Sequence, residues 1–211
     1  MTLTSQTPGR TNQYSKNVFL LNLLTAFGGL GTESMTRGPG WRFLDMGRRI
    51  ERATQILGLV RRTLVDPCPQ LTSLLEAILE IADSSMTYRN RYLASLQFAP
   101  LLDLVLIDET NPRAVGFQLN ALSEHVDQLP SDPENPHRSP EQRIMLGAQA
   151  SLRLTDVDAL VETNSDGRRE QLERFVISLE EQLRELSNSI SHCYLTHTVP
   201  TRQLGSVRAH R

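Results

Sequence analysis

The chain has 211 residues, which suits one domain or at most two small ones, and a hydrophobic content of 39% is enough for a core. The net charge of −2 argues against a dedicated nucleic-acid-binding protein, and no apolar run approaches the roughly 18 residues that cross a bilayer. Cys68 and Cys193 follow neither metal nor disulfide spacing, so we expect a reduced, cytoplasmic protein. Lys16 is the single lysine; the many arginines suit anion binding, although a GC-rich genome explains them more simply.

The N-terminal part of the chain opens with a polar stretch, residues 1–13, which lacks the apolar centre of a signal peptide and which we interpret as a disordered leader. Within residues 14–30 the chain is apolar on nearly every side from Val18 to Phe27, a pattern that predicts a helix buried all round. Pro39 suits the first turn of a long helix, predicted over residues 39–64. That helix has a heptad seam, typical of lengthwise packing on other helices, formed by Phe43, Met46, Ile50, Ala53, Leu57, Val60 and Leu64.

The middle of the chain alternates apolar and polar segments. A helix is predicted over residues 70–86, followed by TYRNRY (87–92) as a polar and aromatic insertion. The inward face of that helix is predicted to hold Leu71, Leu74, Ile78, Ile81 and Ser85. Residues 100–107 are the most apolar run, and their periodicity alone also fits a buried strand. Nothing elsewhere in the sequence offers a strand partner, so we predict a helix there.

The C-terminal half of the chain contains three further helix patterns. The first opens at Asn111-Pro112, with Asn as N-cap and Pro at the first helical position. Residues 130–140 contain four prolines and predict an exposed loop before helices over 140–161 and 167–195. The inward face of the first helix is predicted to be Val115, Leu119, Leu122 and Val126, and the heptad seam of the last to be Leu172, Val176, Leu179, Leu183, Leu186, Ile190 and Cys193.

Every periodic segment therefore indicates helix. We predict an all-α domain over residues 14–197, a bundle of about six or seven mostly antiparallel helices. The polar residues 198–211 are expected to form a flexible tail.

The centre of the long helix holds the first candidate site. Glu51 shares a helix row with Gly47 and Gly58, and its side chain leans over Gly47. Glycine inside a helix costs about 1 kcal/mol relative to alanine, so this row predicts the close approach of another helix backbone or a ligand. Arg48 lies within ion-pair reach of Glu51, whereas Arg52 points about 100° away. A structural ion pair is the interpretation we favour; an anion or metabolite site and a protein contact are the alternatives.

Two other segments place arginines beside polar or aromatic residues. Arg89 and Arg91 alternate with tyrosines, a pattern that suits phosphate or nucleobase binding but more often ties helices together. Arg113 sits in a predicted first helical turn, where a cation opposes the helix dipole, so we expect it to pair with an anion or with an acidic side chain such as Asp108 or Glu109. The candidate ligand-binding residues are thus Arg48, Glu51, Arg52, Arg89, Arg91, Asn111 and Arg113.

Other chemistry finds no support in the sequence. The single Glu-x-x-His spacing, Glu134 to His137, lies in the proline-rich loop rather than on a helix, so we predict no metal site. The chain also lacks a phosphate loop, a dinucleotide fingerprint and a nucleophile elbow, so we predict no cofactor. The catalytic residues are unknown, and whether the domain is an enzyme stays open.

Several motifs in order along the chain resemble one bacterial family. The run GWRFLDMGRRIERA (40–53) resembles the Glu-Arg motif helix of the alpha-E family, an all-helical domain of unknown function. The further matches are ESMTR (33–37), TYRNRY (87–92), DETNPRAVGFQL (108–119) and SHCYLTH (191–197), and together they cover residues 14–197. The chain departs from the family at Cys193-Tyr194-Leu195, where an aromatic pair is expected near the final His.

A larger departure concerns length. Alpha-E domains usually carry an earlier copy of the motif helix, and residues 1–38 contain nothing like it. The chain therefore resembles the C-terminal half of the family domain. A face left exposed by the missing half predicts self-association or instability.

The resemblance also implies partners. Alpha-E domains are typically encoded beside, or fused to, circularly permuted ATP-grasp proteins and transglutaminase-like proteins. This setting implies an accessory helical domain that acts with a ligase forming amide or peptide bonds. The alternative is an enzyme or a metabolite- or anion-binding domain that uses the arginines around Glu51.

Overall fold

The computed structural model of the protein describes residues 34–92, 95–130 and 137–195, together with eight positions between 16 and 29. The chain divides into two compact units, Met1–Asp45 and Met46–Arg211. Every regular element in the described ranges is helical, which confirms the predicted all-α class. The predicted leader and tail lie outside the described residues, as does most of the proline-rich loop.

The N-terminal unit differs from its prediction. Its described positions between 16 and 29 are helical, but the side chains of Val18, Phe19, Leu20 and Leu23 are between 39% and 70% exposed. The expectation of a helix buried all round is therefore wrong at these positions. The buried apolar side chains among the described residues all lie between Met46 and Ile190.

The described ranges contain more helices than the six or seven predicted, because two predicted helices are each interrupted. Two short π-helical segments, Asp103–Ile107 and Ser191–Leu195, continue the fourth and the eighth helix. In chain order the helices are α1 (Pro39–Leu64), α2 (Leu71–Ile81), α3 (Ser85–Tyr92), α4 (Phe98–Leu102), α5 (Val115–Asp127), α6 (Pro140–Arg153), α7 (Val157–Val161) and α8 (Glu170–Ile190).

The first interruption falls after α2. Asp83 has a φ of 48°, in the left-handed region, so the chain turns there and cannot continue the helix that was predicted through residue 86. The predicted inward residue Ile81 is consequently 66% exposed at the last turn of α2. The TYRNRY segment, predicted as an insertion, belongs to α3 instead.

The start of α5 also differs from its prediction. The helix begins at Val115 with Ala114 as N-cap, so Asn111 does not cap it. A separate turn precedes the helix, closed by the Ala114 N–H, which donates to the Asn111 carbonyl oxygen over 2.9 Å. The predicted inward face of α5 is nevertheless confirmed, because Val115, Leu119, Leu122 and Val126 are all buried.

The core of the second unit is built around α5, α6 and α8. α6 packs against both α5 and α8. It starts at a capping box, in which Ser139 and Gln142 satisfy each other's backbone N–H groups. All predicted seam positions of α8 from Leu172 to Ile190 are buried. Cys193 is exposed, contrary to prediction, because the π-helical segment after Ile190 changes the angular step and rotates the seam away from the core.

Candidate functional site

The Glu51 row lies on the surface of α1. Glu51 is exposed, and its Oε1 accepts a hydrogen bond of 3.2 Å from Gln55 one turn later. A Cβ added at Gly47 would meet no described atom within 4 Å, so the close approach predicted there is absent from the described chain. Gly58 is approached by side chains instead. Its added Cβ would lie 3.0 Å from Arg62 Nη2 and 3.6 Å from Glu180 Oε1.

The arginines that precede Glu51 are half-buried. Arg48 is partly exposed on α1. Its neighbour Arg49, which the sequence did not single out, donates to Gln118 Oε1 over 3.4 Å and lies 5.7 Å from the centre of the Phe117 ring. Gln118 is fully buried and donates to the Pro112 carbonyl oxygen over 2.5 Å. This chain of contacts ties α1 to α5 and to the turn before it.

The TYRNRY segment ties α3 to the π-helical segment Asp103–Ile107. The Tyr92 hydroxyl donates to Asp103 Oδ2 over 2.7 Å. Burial, followed by this hydrogen bond, raises the pKa of Tyr92 to about 12, so the phenol stays protonated at physiological pH. Arg91 forms an ion pair of 2.5 Å with Asp108. Arg91 therefore has a structural partner, as the plainer interpretation of this segment expected.

Asp108 is held from two directions. Its Oδ1 accepts hydrogen bonds from the backbone N–H and the hydroxyl of Thr110, and its Oδ2 accepts from Arg91. Burial on its own would raise the pKa of this carboxyl, but the hydrogen bonds from Thr110 and Arg91 outweigh burial and lower it. The carboxylate therefore fixes the start of the turn that follows.

Asn111 is the buried centre of that turn. The side chain is 5% exposed, and its amide donates to Ser84 Oγ over 3.2 Å and to the Leu104 carbonyl oxygen over 3.0 Å. Its Oδ1 accepts a hydrogen bond of 3.1 Å from the backbone N–H of Arg113. One asparagine thus joins the end of α2, the π-helical segment and the approach to α5. We call residues 108–118, together with the hydrogen bonds and ion pairs that they form, the polar junction.

Arg113 has a partner that the sequence did not predict. Its guanidinium pairs with Asp83 over 2.7 Å, whereas we expected Asp108 or Glu109. Asp108 binds Arg91, and Glu109 binds Arg153 over 2.6 Å, so both predicted partners belong to other pairs. Because the helix starts at Val115, Arg113 also lies outside the helix whose dipole was expected to oppose it.

Two of the predicted arginines line one cleft. Arg52 from α1 and Arg113 from the polar junction border a cleft of about 340 Å³, together with Arg62 from the last turn of α1. Its apolar lining includes Ile56, Leu59 and Ile81, and we call it the arginine cleft. Arg62 was missed by sequence reasoning, and the only available signal was its position on the same helix face as Arg52 and Leu59.

Arg89 lies in a different cleft. That cleft has a volume of about 740 Å³, and Glu76, Glu80 and Asp83 line it alongside Arg89. Its acidic lining makes it a poor place for an anion. The seven predicted site residues therefore do not share one pocket: Arg52 and Arg113 come together, Arg91 and Asn111 belong to structural contacts, and Arg48, Glu51 and Arg89 lie elsewhere.

Two searches of the described residues were negative. No group of three or more His, Cys, Asp or Glu side chains in this part of the chain is arranged to hold a metal ion. None of its helices is long and apolar enough to pass through a membrane.

The comparisons with known proteins agree with the motifs. The family model that matches covers residues 5–195 and is described as a predicted alpha-helical domain with a conserved ER motif. Curated relatives include an uncharacterized protein of Mycobacterium bovis and uncharacterized proteins of two strains of Mycobacterium tuberculosis. Each is 30% identical over 175 residues, which is 82% of this chain but only 19% of the relative. No solved structure matches the chain.

The chain therefore spans about a fifth of the length of these relatives. The family model covers most of the chain and includes α1, which carries the Glu51-Arg52 pair. On the strength of that match, the protein belongs to the Alpha-E family.

Proposed function

We propose that this protein is a non-catalytic helical module that acts in the cytoplasm as an accessory to an ATP-grasp ligase forming amide or peptide bonds. The observation that carries the proposal is the exposed apolar surface of the N-terminal unit, where Phe19 is 70%, Leu23 56% and Leu20 53% exposed. Clusters of exposed apolar side chains mark protein-protein contacts on soluble proteins. The choice of an ATP-grasp ligase follows from the family resemblance.

The length of the relatives supports a module of a larger assembly. In those proteins the matched region is a fifth of the polypeptide, so the domain is covalently continuous with much additional sequence. We also infer that the chain corresponds to the C-terminal half of the family domain, because its motif helix and later motifs match that half. Apolar side chains exposed in this chain would then contact protein supplied from elsewhere.

The polar junction supports a structural rather than a catalytic use of the family motifs. Arg91 pairs with Asp108, and Arg113 pairs with Asp83. The Nδ2 and Oδ1 atoms of Asn111 both form hydrogen bonds within the protein. Groups that are engaged in this way set the positions of helices and are poorly placed to donate or accept protons in a reaction.

The proposal is tested by binding of the full chain to a circularly permuted ATP-grasp protein from the same organism, measured by size-exclusion chromatography with light scattering. We expect a complex with the unaltered protein and its loss when Phe19 and Leu23 are both changed to Glu. Leu154→Glu is the matched control, because Leu154 is 85% exposed in the second unit. That variant should bind the ligase normally.

Each other outcome changes the proposal in a definite way. Failure of the unaltered chain to bind the ligase would contradict the ATP-grasp partnership. A complex formed only with a transglutaminase-like protein would mean that this protein, and not the ligase, is the partner. A homodimer that Phe19→Glu with Leu23→Glu dissolves, without ligase binding, would show that the apolar surface serves self-association.

A further inference from the structure

The arginine cleft has the composition of an anion site. Its described lining contains Arg52, Arg62 and Arg113 and no acidic residue. The three guanidinium groups come from two separate parts of the chain, α1 and the polar junction. Its volume of about 340 Å³ is at the lower end of the range for small-molecule pockets, which is roughly 300 to 1,000 Å³.

Two contacts beside the cleft bear on its arginines. The backbone N–H of Arg113 donates a hydrogen bond to the buried Asn111, so the backbone position of this arginine is fixed by the core. Glu180, whose Oε1 would lie 3.6 Å from a Cβ at Gly58, forms an ion pair of 3.3 Å with Arg61. Arg61 thus engages this carboxylate on α8, while Arg62 lines the cleft.

The chemistry of the lining favours a phosphate ester. A guanidinium binds oxyanions through parallel N–H groups, and three of them offer more donors than the two oxygens of a carboxylate can accept. A phosphate monoester presents three terminal oxygens and two negative charges. Ile56, Leu59 and Ile81 supply an apolar wall beside the arginines, and the side chain of Ile81 is 66% exposed.

We propose that the arginine cleft binds a small phosphate monoester, with its phosphate on Arg52, Arg62 and Arg113 and its apolar group against Ile56 and Leu59. Asp83 modulates the site, because its carboxylate competes with the phosphate for Arg113. The binding is independent of the interaction surface proposed for the N-terminal unit, and either can fail without the other.

The test is calorimetric titration of the full chain with phenyl phosphate, with inorganic phosphate and benzoate as comparators. Phenyl phosphate should bind about tenfold more tightly than inorganic phosphate, because its ring covers apolar surface. Benzoate should bind more weakly than phenyl phosphate, since it has two oxygens. Arg52→Gln and Arg62→Gln should each weaken phenyl phosphate binding about tenfold, as charge-assisted hydrogen bonds are lost.

Two further variants keep the test decisive. Arg143→Gln removes an exposed arginine of α6 outside the cleft and should change the affinity by less than about twofold. Asp83→Asn removes the competing carboxylate and should tighten binding by about threefold. Asparagine tolerates the left-handed φ of 48° at this position, so this variant keeps the turn. Thermal unfolding monitored by circular dichroism verifies that each variant is folded.

The following results would overturn the proposal. Absence of binding heat with phenyl phosphate at millimolar concentration would remove the site. Equal losses for Arg143→Gln and Arg62→Gln would reduce the effect to general surface charge. Benzoate binding as tightly as phenyl phosphate would exclude phosphate as the preferred class, and weaker binding by Asp83→Asn would contradict the competition with Arg113.

Discussion

The α8 seam and the polar junction stabilise the same unit by different physics. The seam contains the buried side chains of Leu172, Val176, Leu179 and Leu183. Such apolar side chains need only to be large and to point into the core. In the junction, Asp108, Asn111 and Gln118 bind specific atoms at hydrogen-bond distance. Apolar burial is non-directional, whereas each junction contact has one correct geometry. The seam therefore supplies stability, while the junction determines where the neighbouring helices start and end.

The largest expected effect is in the seam. Leu179→Ala should lower the free energy of unfolding by about 2–5 kcal/mol, because it leaves a cavity among fully buried neighbours. Leu154→Ala is the matched control, since Leu154 is 85% exposed, and should change stability by less than about 0.5 kcal/mol. Urea unfolding measures both. Similar costs for the two leucines would mean that α8 is not part of the core.

The next largest effect on stability is expected at Gly116, where the polar junction overlaps the start of α5. A Cβ at Gly116 would collide with the carbonyl oxygen of Ile107 and lie 3.0 Å from the carbonyl carbon, and both atoms are backbone. Gly116→Ala should therefore destabilise the protein by about 1–3 kcal/mol, because the π-helical segment must move away. Gly47→Ala is the opposite case: the space around Gly47 is open, and the change should stabilise α1 by up to about 1 kcal/mol. We expect the two variants to shift the midpoint temperature of thermal unfolding in opposite directions. If Gly47→Ala destabilised the protein, the predicted close approach at that glycine would be supported after all.

Replacing the asparagine of the polar junction should have an effect of similar size. Asn111→Ala removes the partner of Ser84, Leu104 and Arg113, and unsatisfied buried groups cost about 1–3 kcal/mol. Asn188→Ala, at an exposed position of α8, is the control and should be nearly neutral. Hydrogen exchange should show faster exchange at the backbone N–H of Arg113 in Asn111→Ala. A neutral Asn111→Ala would show that the junction does not depend on this residue.

The smallest effect depends on pH. The lowered folded-state pKa of Asp108 means that its carboxylate stabilises the protein above the unfolded pKa, and this contribution is lost as pH falls through the folded value. Asp108→Asn should cost about 1 kcal/mol at pH 7, and the cost should shrink toward zero below about pH 4. Urea unfolding over a pH series measures this. A cost that stays constant with pH would contradict the role of the charge, and Asp166→Asn, at an exposed turn, serves as control.

Sequence reasoning succeeded for the seam and failed for much of the junction. The seam of α8 was predicted residue by residue up to Ile190, because apolar spacing directly reports a helix face. The break at Asp83 and the late start of α5 were missed, because both depend on contacts between distant residues. Arg52 and Arg113, which line the arginine cleft, are among the candidate residues that the sequence predicts, whereas Arg62 and the cleft itself are not.

Local sequence patterns are enough to predict the all-α class, both ends of α1 and the faces that α5 and α8 bury, since apolar periodicity reports the buried face and prolines flank α1. The partner of each charged group, in contrast, depends on tertiary packing. Arg91 and Asp108 are separated by 17 positions, and Arg49 and Gln118 by 69. No local pattern specifies which of several acids an arginine meets, because packing of whole helices brings the pair together. For the same reason, the arginine cleft becomes visible only when α1, the end of α2 and the polar junction are assembled.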